Sequence, residues 1–317
     1  MSEAAPLAPA RVPVRVGSAR AADGAILRWR VEGEGPRAGG LAPLLCSNGI
    51  GVSTFFWRFI AQQFAPERPV ITWDYRGHGS TPVPEHPERT TVSLCASDLW
   101  SVADAVGAEG CVLLGHSMGC QVSLEAIRQQ PQRALAFVPM LGAPGRIFSS
   151  VPGGERVLPI LRAVLAAGSA RPELAAQLLR ASLRTPGLWP LVKALGVVHP
   201  DLCTREEFEP YFEHLARLDL RCYFALFEDL LTHDASDLLA RLALPTLVVA
   251  GSRDLFTPLS RSEEMARAIP QAELLVVRDG SHAALVEQPE LIQLALEKFL
   301  RRNQLGHHKF GRRDGAV

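Results

Sequence analysis

Gly115-His116-Ser117-Met118-Gly119 decides how this chain is read, because of what flanks it. The apolar run Cys111-Val112-Leu113-Leu114 precedes it. The segment Cys120-Gln121-Val122-Ser123-Leu124-Glu125-Ala126-Ile127-Arg128, with the spacing of a helix, follows. Strand, tight turn and helix together lift a serine off the carboxyl end of a strand with its hydroxyl exposed. A turn that sharp leaves no room for side chains on its flanks, which accounts for the glycine at each end. Taken alone, the pentapeptide is also compatible with a glycine-rich turn carrying a solvated serine. The residues downstream separate the two readings.

Outward from this turn, strands alternate with helices. Segments near Val12–Gly17 and Ala25–Val31 alternate in polarity and read as paired strands about an Ala22-Asp23-Gly24 turn. Pro43–Cys46 is a short apolar strand, Thr54–Phe64 has helical spacing, and Pro69–Trp73 is a strand. Val92–Val106 is a helix, Cys111–Leu114 a strand, Met118–Gln130 a helix and Ala134–Leu141 a strand. This rhythm predicts a mostly parallel sheet with helices on both faces. It breaks after Pro144. From there to Asp234 no strand is predicted, only helical stretches at Val157–Leu165, Pro172–Leu183, Leu188–Leu195 and Phe208–Leu218. Alternation resumes with a strand at Pro245–Ala250, a helix at Ser260–Ala268, a strand at Glu273–Val277 and a helix over Glu290–Arg301. The expectation is an α/β core over 11–144 and 235–303, eight strands in all, interrupted by a helical insertion at 145–234. Residues 1–10 read as a disordered leader and 304–317 as a flexible polar tail.

Composition narrows the class. The 47% hydrophobic and 21% charged fractions are those of an ordinary globular chain with an ample core. Lys+Arg and Asp+Glu balance at 33 each, so nothing calls for nucleic acid or an anionic surface as main partner. The first twenty residues lack the continuous apolar core of a signal peptide, and no apolar run is long enough for a transmembrane helix. The six cysteines, Cys46, Cys95, Cys111, Cys120, Cys203 and Cys222, form no C-x-x-C pair and no zinc spacing. They read as reduced thiols of a cytoplasmic protein. His233-Asp234 and His307-His308 lack the geometry of metal ligands, and Gly77-His78-Gly79 lacks the third glycine of a dinucleotide loop. No cofactor and no metal are expected. The expected partner is a small-molecule substrate, met by a monomer or homodimer.

A serine hydroxyl is a poor nucleophile at neutral pH and needs a base, itself oriented by an acid. Both follow the insertion. Asp254 ends the strand-turn Ala250-Gly251-Ser252-Arg253-Asp254, and His282 closes Arg278-Asp279-Gly280-Ser281-His282. Three loops leaving three parallel strands meet on one sheet edge, where open α/β sheets hold their sites. Ser117 would attack, His282 would take its proton and Asp254 would hold the imidazole. Asp279 is the competing acid, but it lies too near His282 in sequence to orient it from a separate strand. An oxyanion hole needs two backbone N–H groups. Met118 supplies one candidate. The loop Ser47-Asn48-Gly49-Ile50-Gly51 supplies the other, at Ile50 or the adjacent Gly49.

These residues resemble the α/β-hydrolase superfamily, in its single-chain group with a helical cap. The resemblance covers about residues 20–303. It includes Asp74-Tyr75-Arg76-Gly77-His78-Gly79-Ser80, similar to that family's D-x-R-G-x-G-x-S turn, as well as Pro245–Asp254 and Gly280–Pro289. It implies a structural role for the Asp74 turn, His78 included, and a packing and positioning role for His116. Two residues depart from the family pattern. Asn48-Gly49 stands where His-Gly is frequent, and Cys120 stands where a glycine commonly follows the turn.

Serine at the nucleophile position argues against the aspartate-dependent dehalogenases and epoxide hydrolases that share this fold. Acyl transfer to water remains: cleavage of an ester, thioester or lactone. The same residues serve an acyltransferase, a cofactor-free perhydrolase or a carbon–carbon bond hydrolase, and a ligand-binding receptor on this scaffold is the non-enzymatic alternative. The leucine-rich insertion suggests an apolar substrate, although those leucines equally serve to pack the cap. Arg146, Arg162 and Arg180 are candidate partners for a carboxylate or simply solvated helix faces.

Overall fold

The computed structural model describes residues 12–35, 40–145, 154–194 and 196–305. Residues 1–11, Arg146, Leu195, His307, His308 and the rest of the tail lie outside the described residues. Eight strands form one sheet: β1 (Val14–Arg20), β2 (Ile26–Glu32), β3 (Leu44–Ser47), β4 (Val70–Trp73), β5 (Cys111–His116), β6 (Ala134–Met140), β7 (Thr246–Gly251) and β8 (Ala272–Val277). Their order is β1-β2-β4-β3-β5-β6-β7-β8. β1 pairs with β2 and β2 with β4 antiparallel; every later pairing is parallel. The eight-stranded, mostly parallel sheet expected from the sequence is therefore the one observed.

The strands form where the sequence is continuously apolar. β3, β4, β5 and β7 are buried along their whole length, as strands covered on both faces must be. β1 is an edge strand and is largely exposed. Gly24, at φ 87°, turns the chain between β1 and β2 in a conformation that glycine adopts without steric cost.

The helices are α1 (Arg58–Phe64), α2 (Val92–Val106), α3 (Met118–Gln129), α4 (Gly154–Ala170), α5 (Pro172–Leu183), α6 (Leu188–Ala194), α7 (Arg205–Arg217), α8 (Leu220–Thr232), α9 (Leu259–Ala268), α10 (Ala284–Glu287) and α11 (Pro289–Arg302). Two apolar clusters result. One joins Leu45, Ile71, Trp73, Leu113 and Val248 to α2 and α3. The other joins Leu44, Val70, Val112 and Leu247 to α1 and α11. Thr54–Trp57, expected to begin a single helix reaching Phe64, is a separate 3₁₀ turn ahead of α1.

Among the described residues, five α-helices, α4 to α8, stand between β6 and β7. One of them, α8, was not anticipated in the sequence. Its signal is present: Asp219 accepts the N–H groups of Arg221 and Cys222 as an N-cap, and Leu220, Cys222, Leu226, Leu230 and Leu231 are buried along one face. Leu226 and Leu230 belong to the same cluster as Leu99 and Trp100 of α2, so α8 joins the insertion to the sheet's own helices. At the other end of the chain, Leu305 is buried and its carbonyl accepts from Arg68, which ties residues 303–305 to the core.

Candidate active site

Ser117 sits at φ 55° and ψ −120°, a left-handed conformation that a non-glycine residue adopts only when its surroundings force it. The surroundings are tight on both sides. A Cβ at Gly115 would lie 2.3 Å from the Gly119 carbonyl oxygen, and one at Gly119 would lie 2.2 Å from that of Ser47. Backbone meets backbone there, so only glycine fits. The Ser117 N–H is spent on the Met140 carbonyl, 3.0 Å away, which locks the turn to β6. Cys120 follows the turn directly. Its buried thiol donates to the Gly115 carbonyl at 3.1 Å, and burial pushes its pKa up to about 12, so it acts as a small packing group.

His282 bridges Ser117 and Asp254. Its Nδ1 lies 2.8 Å from Asp254 Oδ2 and its Nε2 lies 2.9 Å from Ser117 Oγ. A carboxylate only accepts, so Nδ1 carries the proton and Nε2 is free to accept the serine O–H. Burial alone would raise the Asp254 carboxyl. The electrostatic pull of the facing imidazole, with hydrogen bonds from His282 and Thr257, outweighs burial and holds it below the ordinary carboxylate value. Asp254 also accepts the N–H groups of Phe256 and Thr257, which fixes the carboxylate plane. Asp279, the competing acid, is paired with Arg253 at 3.0 Å and takes no part.

The backbone carbonyl of His282 is itself held. His116 Nε2 donates to it at 3.1 Å, and the two rings stand 5.0 Å apart. Burial, then the nearby His282, push the His116 pKa down to about 3, so the ring stays neutral and its Nδ1 is an unprotonated acceptor.

The loop after β3 lies against the serine. A Cβ at Gly49 would be 3.0 Å from His116 Nδ1 and 3.1 Å from Ser117 Cβ, so residue 49 has to be small. Asn48 braces this loop: its amide donates to the Trp73 carbonyl at 2.8 Å and its Oδ1 accepts from Trp57 Nε1 at 2.8 Å. Its backbone carbonyl accepts the Tyr75 hydroxyl. His78, held neutral by burial at a pKa of about 4, accepts the Gly51 N–H through Nε2. Asp74 accepts from Ser53, Thr54 and Ser80, so the Asp74–Ser80 turn supports the loop without reaching Ser117. Among the described residues the N–H groups of Ile50 and Met118 have no hydrogen-bond partner, and both residues border the same cavity as Ser117.

That cavity measures about 420 Å³. Its floor is His116, Ser117 and His282; its walls include Phe56, Leu255 and Phe256 from the sheet side and Phe208, Tyr211, Tyr223, Phe227 and Leu230 from α7 and α8. Arg162 and Arg180 do not border it; Arg162 pairs with Glu228 on the outside. Sequence reasoning missed Glu287. This buried carboxylate accepts the Ser281 N–H at 2.9 Å, the Ser281 hydroxyl at 2.5 Å and the His199 N–H at 2.6 Å. It therefore fastens the loop carrying His282 to the insertion. Its position, five residues after a loop histidine and two before Pro289, was the available clue.

The sequence profile of the alpha/beta hydrolase fold matches residues 42–289. RutD of Pseudomonas savastanoi pv. phaseolicola, provisionally named a carbamate hydrolase, is 26% identical over 260 residues, covering 82% of this chain and 94% of the relative. A protein of the same name from Caulobacter vibrioides is 28% identical over 278 residues, covering 86% and 95%. Among solved structures, a hydrolase from Pseudomonas aeruginosa aligns with a TM-score of 0.68 at 25% identity, over 90% of this chain and 98% of that one. With the profile spanning most of the chain and the sheet order and strained serine turn described above, the protein belongs to the α/β-hydrolase fold family.

Proposed function

We propose that the protein is a serine hydrolase that cleaves an ester, thioester or lactone bond of a small, largely apolar substrate. The observation that carries this reading is the unbroken chain Ser117 Oγ, His282 Nε2, His282 Nδ1, Asp254 Oδ2, with both hydrogen bonds under 3 Å at the floor of a cavity. His282 takes the Ser117 proton as the oxygen attacks the substrate carbonyl carbon, and Asp254 stabilises the imidazolium that forms. Negative charge moves to the carbonyl oxygen, where the Met118 and Ile50 N–H groups receive it. Collapse expels the leaving group, which takes the proton back from His282. Water, deprotonated by His282, then frees the acyl group and restores Ser117. Residues 145–234 act in this reading as a cap over a core of 11–144 and 235–303, excluding water and supplying substrate contacts.

The RutD relatives raise carbamate as a substrate. A carbamate anion is small and charged. The cavity here is roomy and aromatic, and no Lys or Arg borders it among the described residues, which supports a larger, uncharged substrate. Initial rates on a 4-nitrophenyl ester series from acetate to laurate, for the native protein and Ser117→Ala, test the proposal. The native protein should turn over with a chain-length optimum and the variant should lose activity by orders of magnitude. Equal rates in the two would refute Ser117 as nucleophile.

A further inference from the structure

Two phenols in the cavity have no part in the acyl-transfer steps. Tyr211 stands on α7 and Tyr223 on α8, and both border the cavity. They are the only polar side chains that the described insertion residues contribute to it; Val197, Phe208, Phe227 and Leu230 are apolar. Both rings are fixed. Tyr211 packs against Phe208 at 4.9 Å and Phe212 at 6.2 Å. Tyr223 packs against Phe227 at 5.8 Å, and its ring edge would lie 3.2 Å from a Cβ on Gly51, so it is seated on the loop beside Ser117.

Neither hydroxyl has a hydrogen-bond partner among the described residues, yet neither oxygen is sealed within the protein. An unpaired O–H in an apolar cavity carries a desolvation cost that a ligand oxygen relieves. Burial pushes Tyr211 up to about 12, and raises Tyr223 further with Tyr211 adding to the effect, so both stay protonated donors at any ordinary pH.

We propose that Tyr211 and Tyr223 form an acceptor-reading subsite whose O–H groups donate to an uncharged oxygen in the apolar part of the substrate, apart from the carbonyl that Ser117 attacks. The substrate class is then a neutral aromatic or acyl ester or lactone bearing a second oxygen, as ketone, ether or ester. A carboxylate at that point would have only neutral donors and no cation among the described cavity residues. This deepens the serine-hydrolase reading and rests on it for the scissile end alone.

The test is binding without turnover. In Ser117→Ala protein, ethyl 6-oxoheptanoate, ethyl heptanoate and monoethyl adipate compete for the cavity against Nile red; all three carry the ester, and they differ only in the distal ketone, methylene or carboxylate. Adding Tyr211→Phe and Tyr223→Phe keeps both rings and removes only the two oxygens; thermal melting verifies that each variant is folded. The subsite predicts that affinity for the keto ester falls about tenfold in the double variant while ethyl heptanoate changes by less than about twofold, the size of one or two net hydrogen bonds. Unchanged affinity for the keto ester, equal loss for the keto ester and ethyl heptanoate, no displacement by either, or tighter binding of the carboxylate than of the keto ester would each overturn it. Since binding needs no catalysis, failure of the native protein to hydrolyse any ester would refute the ester-hydrolase reading and leave the subsite to stand or fall on these affinities.

Discussion

Strain at Ser117 is held in place by neighbours that leave no slack. The serine keeps its left-handed backbone because Gly115 and Gly119 let backbone touch backbone and because the Ser117 N–H is tied to β6. Gly119→Ala forces a Cβ to within 2.2 Å of the Ser47 carbonyl, and the expected outcome is a protein that melts several degrees lower or fails to fold, read by circular dichroism. Gly49→Ala is milder in space but closer to the chemistry, since its Cβ would press on His116 and Ser117. If Ile50 is an oxyanion donor as proposed, the variant should keep the fold and cut kcat by about 10²-fold or more by displacing that N–H, the usual scale for losing one such donor. Asp254→Asn should lower kcat by roughly 10²–10⁴-fold with little change in melting temperature, because it removes the charge that holds the His282 tautomer. At this scale the juxtaposition of Ser117, Asp254, His282 and the 49–50 loop was legible, because each sits at a fixed offset from a strand end. Glu287 offered only its place between His282 and Pro289, and Tyr211 and Tyr223 gave no signal, because their meeting at one cavity with a loop far away in the chain is made only in three dimensions.

Elements explain the rest of the site. β5, β7 and β8 deliver Ser117, Asp254 and His282 to one edge because all three run parallel and end in step, as their paired registers show. Their continuous apolar runs made them legible. The inserted helices were legible as helices but not as a wall, since amphipathic spacing does not say which neighbour a face meets. The missed α8 is the costly gap: without it Tyr223, Phe227 and Leu230 could not be assigned to the cavity. The helical spacing over Phe208–Leu218 ends there, and Asp219 caps a new helix that begins at Leu220. Glu287 belongs to this scale because it couples two elements, the loop after β8 and the chain at His199. Glu287→Gln should cost about 1–3 kcal/mol of stability, the scale of leaving buried hydrogen-bonding groups unsatisfied, and lower kcat more than it raises KM. Urea unfolding and steady-state rates check both halves. An equal effect on kcat from any buried substitution of α11, such as Leu296→Ala, would reduce Glu287 to general packing.

The whole molecule carries its own pH dependence. His78 and His116 are held neutral by burial at about 4 and about 3, and His214 at about 4, against an ordinary value of 6.5. Once unfolded they bind protons below about pH 6.5, so the unfolded chain holds more protons than the folded one from there toward pH 4. Stability is therefore full above that range and falls as the pH drops through it. The depressed Asp254 carboxyl acts in the same sense at lower pH; Asp74 and Asp98, pushed up by burial, act in the opposite sense near the carboxylate range. Thermal midpoints measured from pH 7 to 4 should decline steadily, and a flat profile would contradict the buried neutral histidines. The eight-stranded, mostly parallel sheet was legible because hydrophobic period and length separate strand from helix; its strand order was not, because spacing along the chain does not say which strands pair. Cavity shape was not, because it depends on how α7 and α8 lean over the sheet edge. The central claim is that Ser117 is activated by His282, and a fluorophosphonate probe tests it most directly. Intact-mass and peptide analysis should find one adduct on the peptide carrying Ser117, formed rapidly by the native protein, slowed by orders of magnitude in His282→Ala and absent in Ser117→Ala. Labelling that is as slow in the native protein as in His282→Ala, or an adduct on another residue, would contradict the account.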